Sequence, residues 1–266
     1  MTEIEESVAT LHEAWKRYAR GGTVEEGDGV LAAWAGAQWP IVNALFLTSP
    51  VGGVAEWSGR LDRIAAFTAT RPQFGMLLTC NAWTPAGAES EAELSKRAWV
   101  KVENITGMVT DSPPAATPIL SALDFRRVDS PELRQAVADI NAVSYDVSLE
   151  MGREAVDREA LFDDTCFSYV GFASGEAVTT ATAYVQADCL YVALVATVPG
   201  ARQRGYGAAA TAHAMREAAR SSGLGRTILH ATSIGLPIYQ QLGFRPVVEF
   251  SMHLPAPLLQ LMGAGH

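Results

Sequence analysis

One short stretch constrains the fold most: ARQRGYGAAA, residues 201–210, joins an apolar run to an alanine-rich helical pattern. The apolar run before it, LYVALVATV, is typical of a buried strand. A strand that turns through glycines into a helix presents unpaired backbone N–H groups at the positive end of the helix dipole. Glycines let an anion approach the main chain, and Arg202 and Arg204 add positive charge. The stretch therefore predicts either a phosphate-binding loop or a tight turn before a packed helix.

Two common phosphate-binding motifs are incomplete at this stretch. The Lys-Ser/Thr ending of a P-loop is missing after Gly205 and Gly207. Ala210 stands where a dinucleotide-binding loop requires its third glycine. A nucleotide-binding oxidoreductase is therefore disfavoured.

Prolines divide the sequence into two parts. TDSPPAATP, from Thr110 to Pro118, is typical of a semi-rigid linker, and we predict domains 1–112 and 119–266 joined by a linker at 113–118. The second part predicts the order β-α-α-β-β-β-α-β-α-β, with its second helix interrupted near Gly152. The first part alternates helical and strand-like patterns, which indicates a smaller α/β half. Its six tryptophans favour core packing.

Composition excludes several classes of protein. Hydrophobic residues make up 48% of the 266, enough for buried cores, and no apolar run is long enough to cross a bilayer. A formal net charge of -9 disfavours nucleic acid as a partner. The three widely spaced cysteines fit reduced core residues, and the histidines lack the spacing of metal ligands. We expect a cytoplasmic protein without a metal, membrane or nucleic-acid partner.

A second block, ATSIGLPIYQQLGFRPV, follows the glycine loop at residues 231–247. Together with LYVALVATVPGARQRGYGAAATAHAM it resembles the GCN5-related N-acetyltransferases (GNAT). The residues that meet the two family patterns, Gln/Arg-x-x-Gly-x-Gly/Ala and Tyr-x-x-x-Gly-Phe, are Arg202, Gly205, Gly207, Tyr239, Gly243 and Phe244. The resemblance covers about 120–254 and implies an α/β (α+β) GNAT fold, a mixed, mostly antiparallel sheet flanked by helices. The N-terminal half would be a degenerate domain of the same kind or an accessory α/β domain.

The resemblance also implies roles for individual residues, with acetyl-CoA as the cosubstrate and no metal. Tyr239 would protonate or hydrogen-bond the departing thiolate, with Ile238 and Leu242 packing inward. The residues expected to bind CoA are Val195, Ala196, Val198, Arg202, Gln203, Arg204, Gly205, Tyr206, Gly207, Ala208, Thr232 and Ser233. The residues expected near the acceptor are Tyr145, Asp146, Glu150 and Glu154, each of which also fits a solvated helix face.

The sequence departs from the family pattern in two places. Thr232 and Gly235 stand where many members have Asn and Ala, and the strand DCLYVALVATV has no glutamate to act as a general base. Deprotonation would then use water or a carboxylate elsewhere. The predicted function is acetyl transfer to a small amine. The alternative is a non-catalytic acyl-CoA-binding or interaction module. The acceptor, the acyl chain length and the oligomeric state, a homodimer among the alternatives, stay open.

Overall fold

The structure is a computed structural model that describes residues 1–114 and 123–263. It divides into two compact units, Met1–Thr106 with Val248–His266, and Gly107–Val247. Residues 115–118 of the predicted linker, 113–118, lie outside the described residues. The predicted domain boundaries stay a prediction. The compact units have other bounds than the predicted domains for two reasons. The strand Trp99–Thr110 is divided between the units after Thr106, and most of the last strand, Arg245–Pro255, belongs to the first unit.

In the first unit, the strands of the sheet lie in the order β1-β2-β3-β4-β11-β5. Its elements are α1 (Glu3–Tyr18), β1 (Thr23–Gly27), β2 (Val30–Trp34), β3 (Asn43–Leu47), α2 (Val54–Ala69), β4 (Met76–Cys80), α3 (Ala88–Lys96), the first part of β5 (Trp99–Thr110), the last part of β11 (Arg245–Pro255) and α8 (Ala256–Gly263). Trp57, Leu61 and Ile64 from α2 pack on the strands. Trp34, Trp39, Trp57 and Trp99 are buried, which confirms that tryptophans build the core of this half.

The hairpin β1–β2 is an element that sequence reasoning missed. Asp28 and Gly29 form its two-residue turn, and both have positive φ, 52° and 82°. An Asp-Gly pair between strands favours this turn, because Gly and Asp tolerate the left-handed region. The signal was therefore in the sequence, but β1 is mostly exposed and lacks an apolar face.

The second unit has the strand order β11-β5-β10-β9-β8-β7-β6. Its further elements are β6 (Asp124–Arg127), α4 (Pro131–Ser144), α5 (Leu149–Val156), β7 (Cys166–Ala173), β8 (Glu176–Val185), β9 (Leu190–Thr197), α6 (Tyr206–Ser222), β10 (Thr227–Thr232) and α7 (Leu236–Gln241). The strands from β6 to β9 pair antiparallel, and β9 and β10 pair parallel. The predicted order of elements is confirmed.

Helix α6 packs closely on the sheet because its inward side is built from alanines. Ala210, Ala212, Ala214 and Ala218 are almost fully buried among apolar residues of β7, β8, β9 and β10. Small side chains let a helix approach the strands, and Ala has the highest helix propensity. This packing fixes the N-terminus of α6 at the end of β9, where the glycine loop lies.

The interruption predicted near Gly152 is wrong. Helix α5 runs from Leu149 to Val156 without a break. The glycine is there because α4 crosses it closely: a Cβ on Gly152 would lie 2.5 Å from Cβ of Ala142. Gly152 therefore sets the contact between α4 and α5 and does not end the helix.

No described helix is long and apolar enough to cross a membrane. The described residues contain no cluster of three or more His, Cys, Asp or Glu that could hold a metal ion. Cys80, Cys166 and Cys189 are buried free thiols.

Candidate functional site

The glycine loop is shaped by two left-handed residues. A short 3₁₀ turn, Pro199–Ala201, follows β9, and Gln203 and Gly205 then have φ of 61° and 75°. Gln203 is strained there, whereas Gly205 adopts this region at no steric cost. Gly205 is the N-cap of α6, so the chain enters the helix through a conformation that favours glycine.

The N-terminus of α6 leaves backbone donors without helical partners. The N–H of Ala209 donates to the carbonyl of Gly205 at 3.0 Å, so the preceding N–H groups, 206–208, lie ahead of the helical ladder. Gly205 provides no side-chain cap. By contrast, Ser130 caps α4 and Ser148 caps α5 with their hydroxyls. The donors at the start of α6 are therefore placed to bind an anion.

The first turn of α6 also contains no acidic residue. Helices α2 and α3 begin at glycines without side-chain caps too, but Glu56 lies in the first turn of α2, and Glu89 and Glu91 in that of α3. Those carboxylates compensate the positive helix end and would repel an anion. The start of α6 is free of that repulsion.

The second glycine of the loop has a different role. A Cβ on Gly207 would lie 3.2 Å from Oγ1 of Thr197, the last residue of β9. That hydroxyl is 2.9 Å from Oγ1 of Thr179 on β8. Gly207 therefore lets α6 start close to the end of β9. Sequence reasoning did not single out either threonine.

Strand β9 is irregular in its second half, before the loop begins. Leu194 has φ of 50°, and the register with β8 shifts between Thr180 and Thr182. The pairing with β10 covers Leu190 to Val192, and β9 continues to Thr197. Nothing in the sequence LYVALVATV marks this bulge, because Leu194 is an ordinary strand residue in composition.

The three residues at and just after the end of β9 that are predicted to bind CoA are placed differently. Val195 and Ala196 lie beyond the part of β9 that pairs with β10, and the carbonyl of Ala196 accepts a hydrogen bond from Thr179 Oγ1 at 2.9 Å. Val198 donates its N–H to Val178 and accepts from Ala201, at 3.0 and 2.9 Å. Both the N–H and the carbonyl of Val198 are thus already hydrogen-bonded, so only its side chain is left to line the site.

The two arginines of the loop differ in their contacts. Both are exposed. Arg202 donates through Nε to the carbonyl of Thr197 at 3.1 Å and through Nη2 to the carbonyl of Ser144 at 2.9 Å. Arg204 forms no hydrogen bond or ion pair with any residue in the described part of the chain. Tyr206 packs its ring against a small cluster that includes Ala209, and Gln203 is exposed.

Tyr239 lies on α7 and is half-buried. Its ring packs on the core of α6 and the sheet, edge-on to Phe244 with centroids 6.0 Å apart. A Cβ on Gly235 would come within 3.0 Å of the Tyr239 ring, so the glycine in place of alanine makes room for it. Burial, and to a lesser degree the nearby Tyr145, raises the pKa of Tyr239. The phenol therefore stays protonated at neutral pH.

The neighbours of Tyr239 partly correct the prediction. Leu242 is buried as expected, but Ile238 is 41% exposed and does not pack inward. The inward side of α7 is built instead from Leu236, Tyr239 and Leu242, which are spaced three residues apart and pack in the same core cluster. Thr232 accepts from the N–H of Gly235 through its carbonyl at 3.0 Å and its hydroxyl at 3.4 Å. Ser233 is exposed.

The residues predicted near the acceptor lie at the junction of α4 and α5. Tyr145 is the C-cap of α4, and Asp146 follows it with φ of 55°. Glu150 lies in the first turn of α5 and Glu154 lies further along, both exposed. Among these, Tyr145 is the residue whose charge affects the pKa of Tyr239. The structure thus brings Tyr145 near Tyr239.

Residues 134–244 match the model of the acetyltransferase (GNAT) family. This range contains the loop, β9, α6 and α7. Residues 134–244 form a GNAT-family domain.

Solved structures extend the likeness of fold beyond the GNAT domain. A GCN5-related N-acetyltransferase from Kribbella flavida superposes with a TM-score of 0.69 at 17% identity, covering 92% of this chain and 94% of that one. A GCN5-related N-acetyltransferase-like protein from Streptococcus suis gives 0.57 at 16% identity, covering 96% and 99%. A tandem GNAT protein from the clavulanic acid biosynthesis pathway gives 0.51 at 10%, covering 79% and 74%. No curated protein matches the sequence.

Proposed function

We propose that the protein is an acetyl-CoA-dependent N-acetyltransferase that transfers the acetyl group directly to a small amine. The observation that carries the proposal is the start of α6, where uncapped donors meet a left-handed Gly205 and no acidic side chain. An α-helix with free N–H groups and a flanking cation is suited to a pyrophosphate. The GNAT-family match over 134–244 supports acetyl-CoA as the ligand.

Each part of the site has a distinct task in this proposal. The N–H groups from Gln203 to Ala208 bind the pyrophosphate, and Arg204 adds charge beside them. Beyond its pairing with β10, β9 offers the backbone around Val195 and Ala196 to the pantetheine arm. This division leaves Val198 with a packing task, whereas Gly207 contributes its N–H group and also lets α6 start close to the end of β9.

Tyr239 acts on the leaving group. The reaction forms a bond between the amine nitrogen and the acetyl carbon and breaks the bond to sulfur, so the thiolate needs a proton. Because burial raises the pKa of Tyr239, its hydroxyl holds a proton to donate at neutral pH. The amine loses its proton to water or to a carboxylate such as Asp146, because β9 contains no carboxylate.

The N-terminal half is proposed to be a degenerate GNAT-like domain that lacks a phosphate-binding loop. The likeness in fold to a tandem GNAT protein supports this. We also propose a cytoplasmic location and a small amine as the partner. The second candidate function, an acyl-CoA-binding module without turnover, is favoured by the lack of a carboxylate on β9.

A thiol-release assay tests the proposal. The protein is incubated with acetyl-CoA and a panel of amines, free thiol is followed, and acetylated products are identified by mass spectrometry. Amine-dependent release with a matching acetylated product supports the transferase. Saturable CoA binding without release on any amine favours the binding module, and the absence of CoA binding contradicts both.

A further inference from the structure

The C-terminus of α4 is completed by a residue from outside the helix. The N–H of Val147 donates back to the carbonyl of Ala142 at 3.0 Å, with Asp146 in the left-handed region at φ 55°. This arrangement is a helix end of the Schellman type, with aspartate in place of the usual glycine. The carbonyl of Ser144, in the last turn, has no helical donor by geometry. It needs a donor from elsewhere.

Arg202 provides that donor from the glycine loop. Its Nη2 donates to the Ser144 carbonyl at 2.9 Å, while its Nε donates to the Thr197 carbonyl at 3.1 Å. A cation at the negative end of a helix is favourable, and the planar guanidinium can hold two acceptors at once. One side chain therefore joins the end of α4 to the end of β9.

This bridge contacts the segment that carries the acceptor-side residues. Tyr145 follows Ser144 directly and lies close enough to Tyr239 to raise its pKa further. We infer that Arg202 is a positioning residue that holds the segment from Ser144 to Asp146 against the CoA loop, and is not itself a phosphate ligand. Its effect on turnover rests on the proposed function, whereas the bridge itself does not.

Arg204 is the matched comparison within the same loop. It lies two residues further on, is also exposed, and has no hydrogen bond or ion pair with the described residues. Its charge is available to an anion at the start of α6, whereas the guanidinium of Arg202 already contacts two carbonyls. The two arginines should therefore respond differently to the same substitution.

The experiment compares Arg202→Met, Arg202→Lys and Arg204→Met by amide hydrogen exchange and CoA calorimetry. Both Arg202 variants should speed amide exchange in the segment 143–150 roughly tenfold, because methionine has no donor and a single lysine ammonium cannot replace the two-point bridge. Arg204→Met should leave that exchange unchanged and raise the Kd of CoA by about fivefold to tenfold. The CoA Kd of Arg202→Lys should stay within about twofold of the wild type.

Kinetics add a readout that a purely structural role would not move. With an amine that the wild type acetylates, the Arg202 variants should raise the KM for the amine while the KM for acetyl-CoA stays near the wild-type value. Unchanged exchange at 143–150 in Arg202→Met overturns the inference. So does a loss of CoA affinity in Arg202→Met that Arg202→Lys restores. If no amine is acetylated, the proposed function fails, and exchange and calorimetry still decide the role of Arg202.

Discussion

The hydroxyl of Tyr239 can be removed with little disturbance to its surroundings. In Tyr239→Phe the ring keeps its edge-on contact with Phe244 and its place against the core. If the hydroxyl protonates the leaving thiolate, turnover should fall by about 10²- to 10⁴-fold, as for a positioned general acid. That loss corresponds to about 3–5 kcal/mol of barrier height. The Kd of CoA should stay within about twofold, because the loss belongs to the transition state.

The assay is single-turnover acetyl transfer, which isolates the chemical step from product release. Tyr169→Phe is a control, since Tyr169 is a buried tyrosine whose pKa is also raised by burial. It lies on β7 against His213 and should retain the wild-type rate. Because burial raises the pKa of Tyr239, the wild-type rate should not fall from its ionisation as pH rises to about 10. A wild-type single-turnover rate in Tyr239→Phe would refute the assignment of this residue as the acid.

Two further predictions concern stability. Gly152→Val should lower the free energy of unfolding by about 1–3 kcal/mol, because the valine side chain would collide with Ala142. Urea unfolding measures the change, and Glu150→Val on the exposed face of the same helix is the control. Burial lowers the pKa of His253 from its ordinary value of 6.5 to about 4, so the unfolded state binds a proton first and stability should fall as pH drops from 6.5 to 4. His253→Gln should reduce that fall by roughly 3 kcal/mol at most, and an unchanged pH dependence would contradict the assignment.

The order of elements in the second unit follows from local signals. Ser130 and Pro131 start α4, and Gly205 and Gly223 stand at the two ends of α6, because each residue suits a particular cap conformation. Such signals act within a few residues and can be read from the chain. The placement of β11 between β4 and β5 depends on pairing between distant parts of the chain, such as that of Phe250 with Cys80, which no local pattern encodes.

The placement of β11 changes how the N-terminal half can be studied. A fragment ending near Ser112 would lack β11, the strand that lies between β4 and β5 in the order of the first unit. The backbone N–H and C=O groups of β4 and β5 that pair with β11 would then lose their hydrogen-bond partners. CoA binding by this half is therefore better tested in the full chain, with the loop at Gly205 disabled.

The candidate site was partly predictable for the same reason. The glycine turn and Tyr239 carry local signals, so their elements were predicted. The contacts of Arg202 with Ser144, the bulge at Leu194 and the exposure of Ile238 depend on packing between distant segments. A sequence pattern shows that an arginine is present, but only the fold shows which acceptors it reaches.

The central claim is that the start of α6 binds the pyrophosphate of CoA, and calorimetry on two matched variants tests it most directly. Gly205 and Gly223 lie at opposite ends of α6 with nearly equal φ, 75° and 77°. Aspartate at either position adds the same backbone strain and the same charge, but only Gly205→Asp places that charge beside the proposed site. The account predicts a loss of CoA affinity of at least about tenfold in Gly205→Asp and a change within about twofold in Gly223→Asp. Equal CoA affinity in the two folded variants would contradict it.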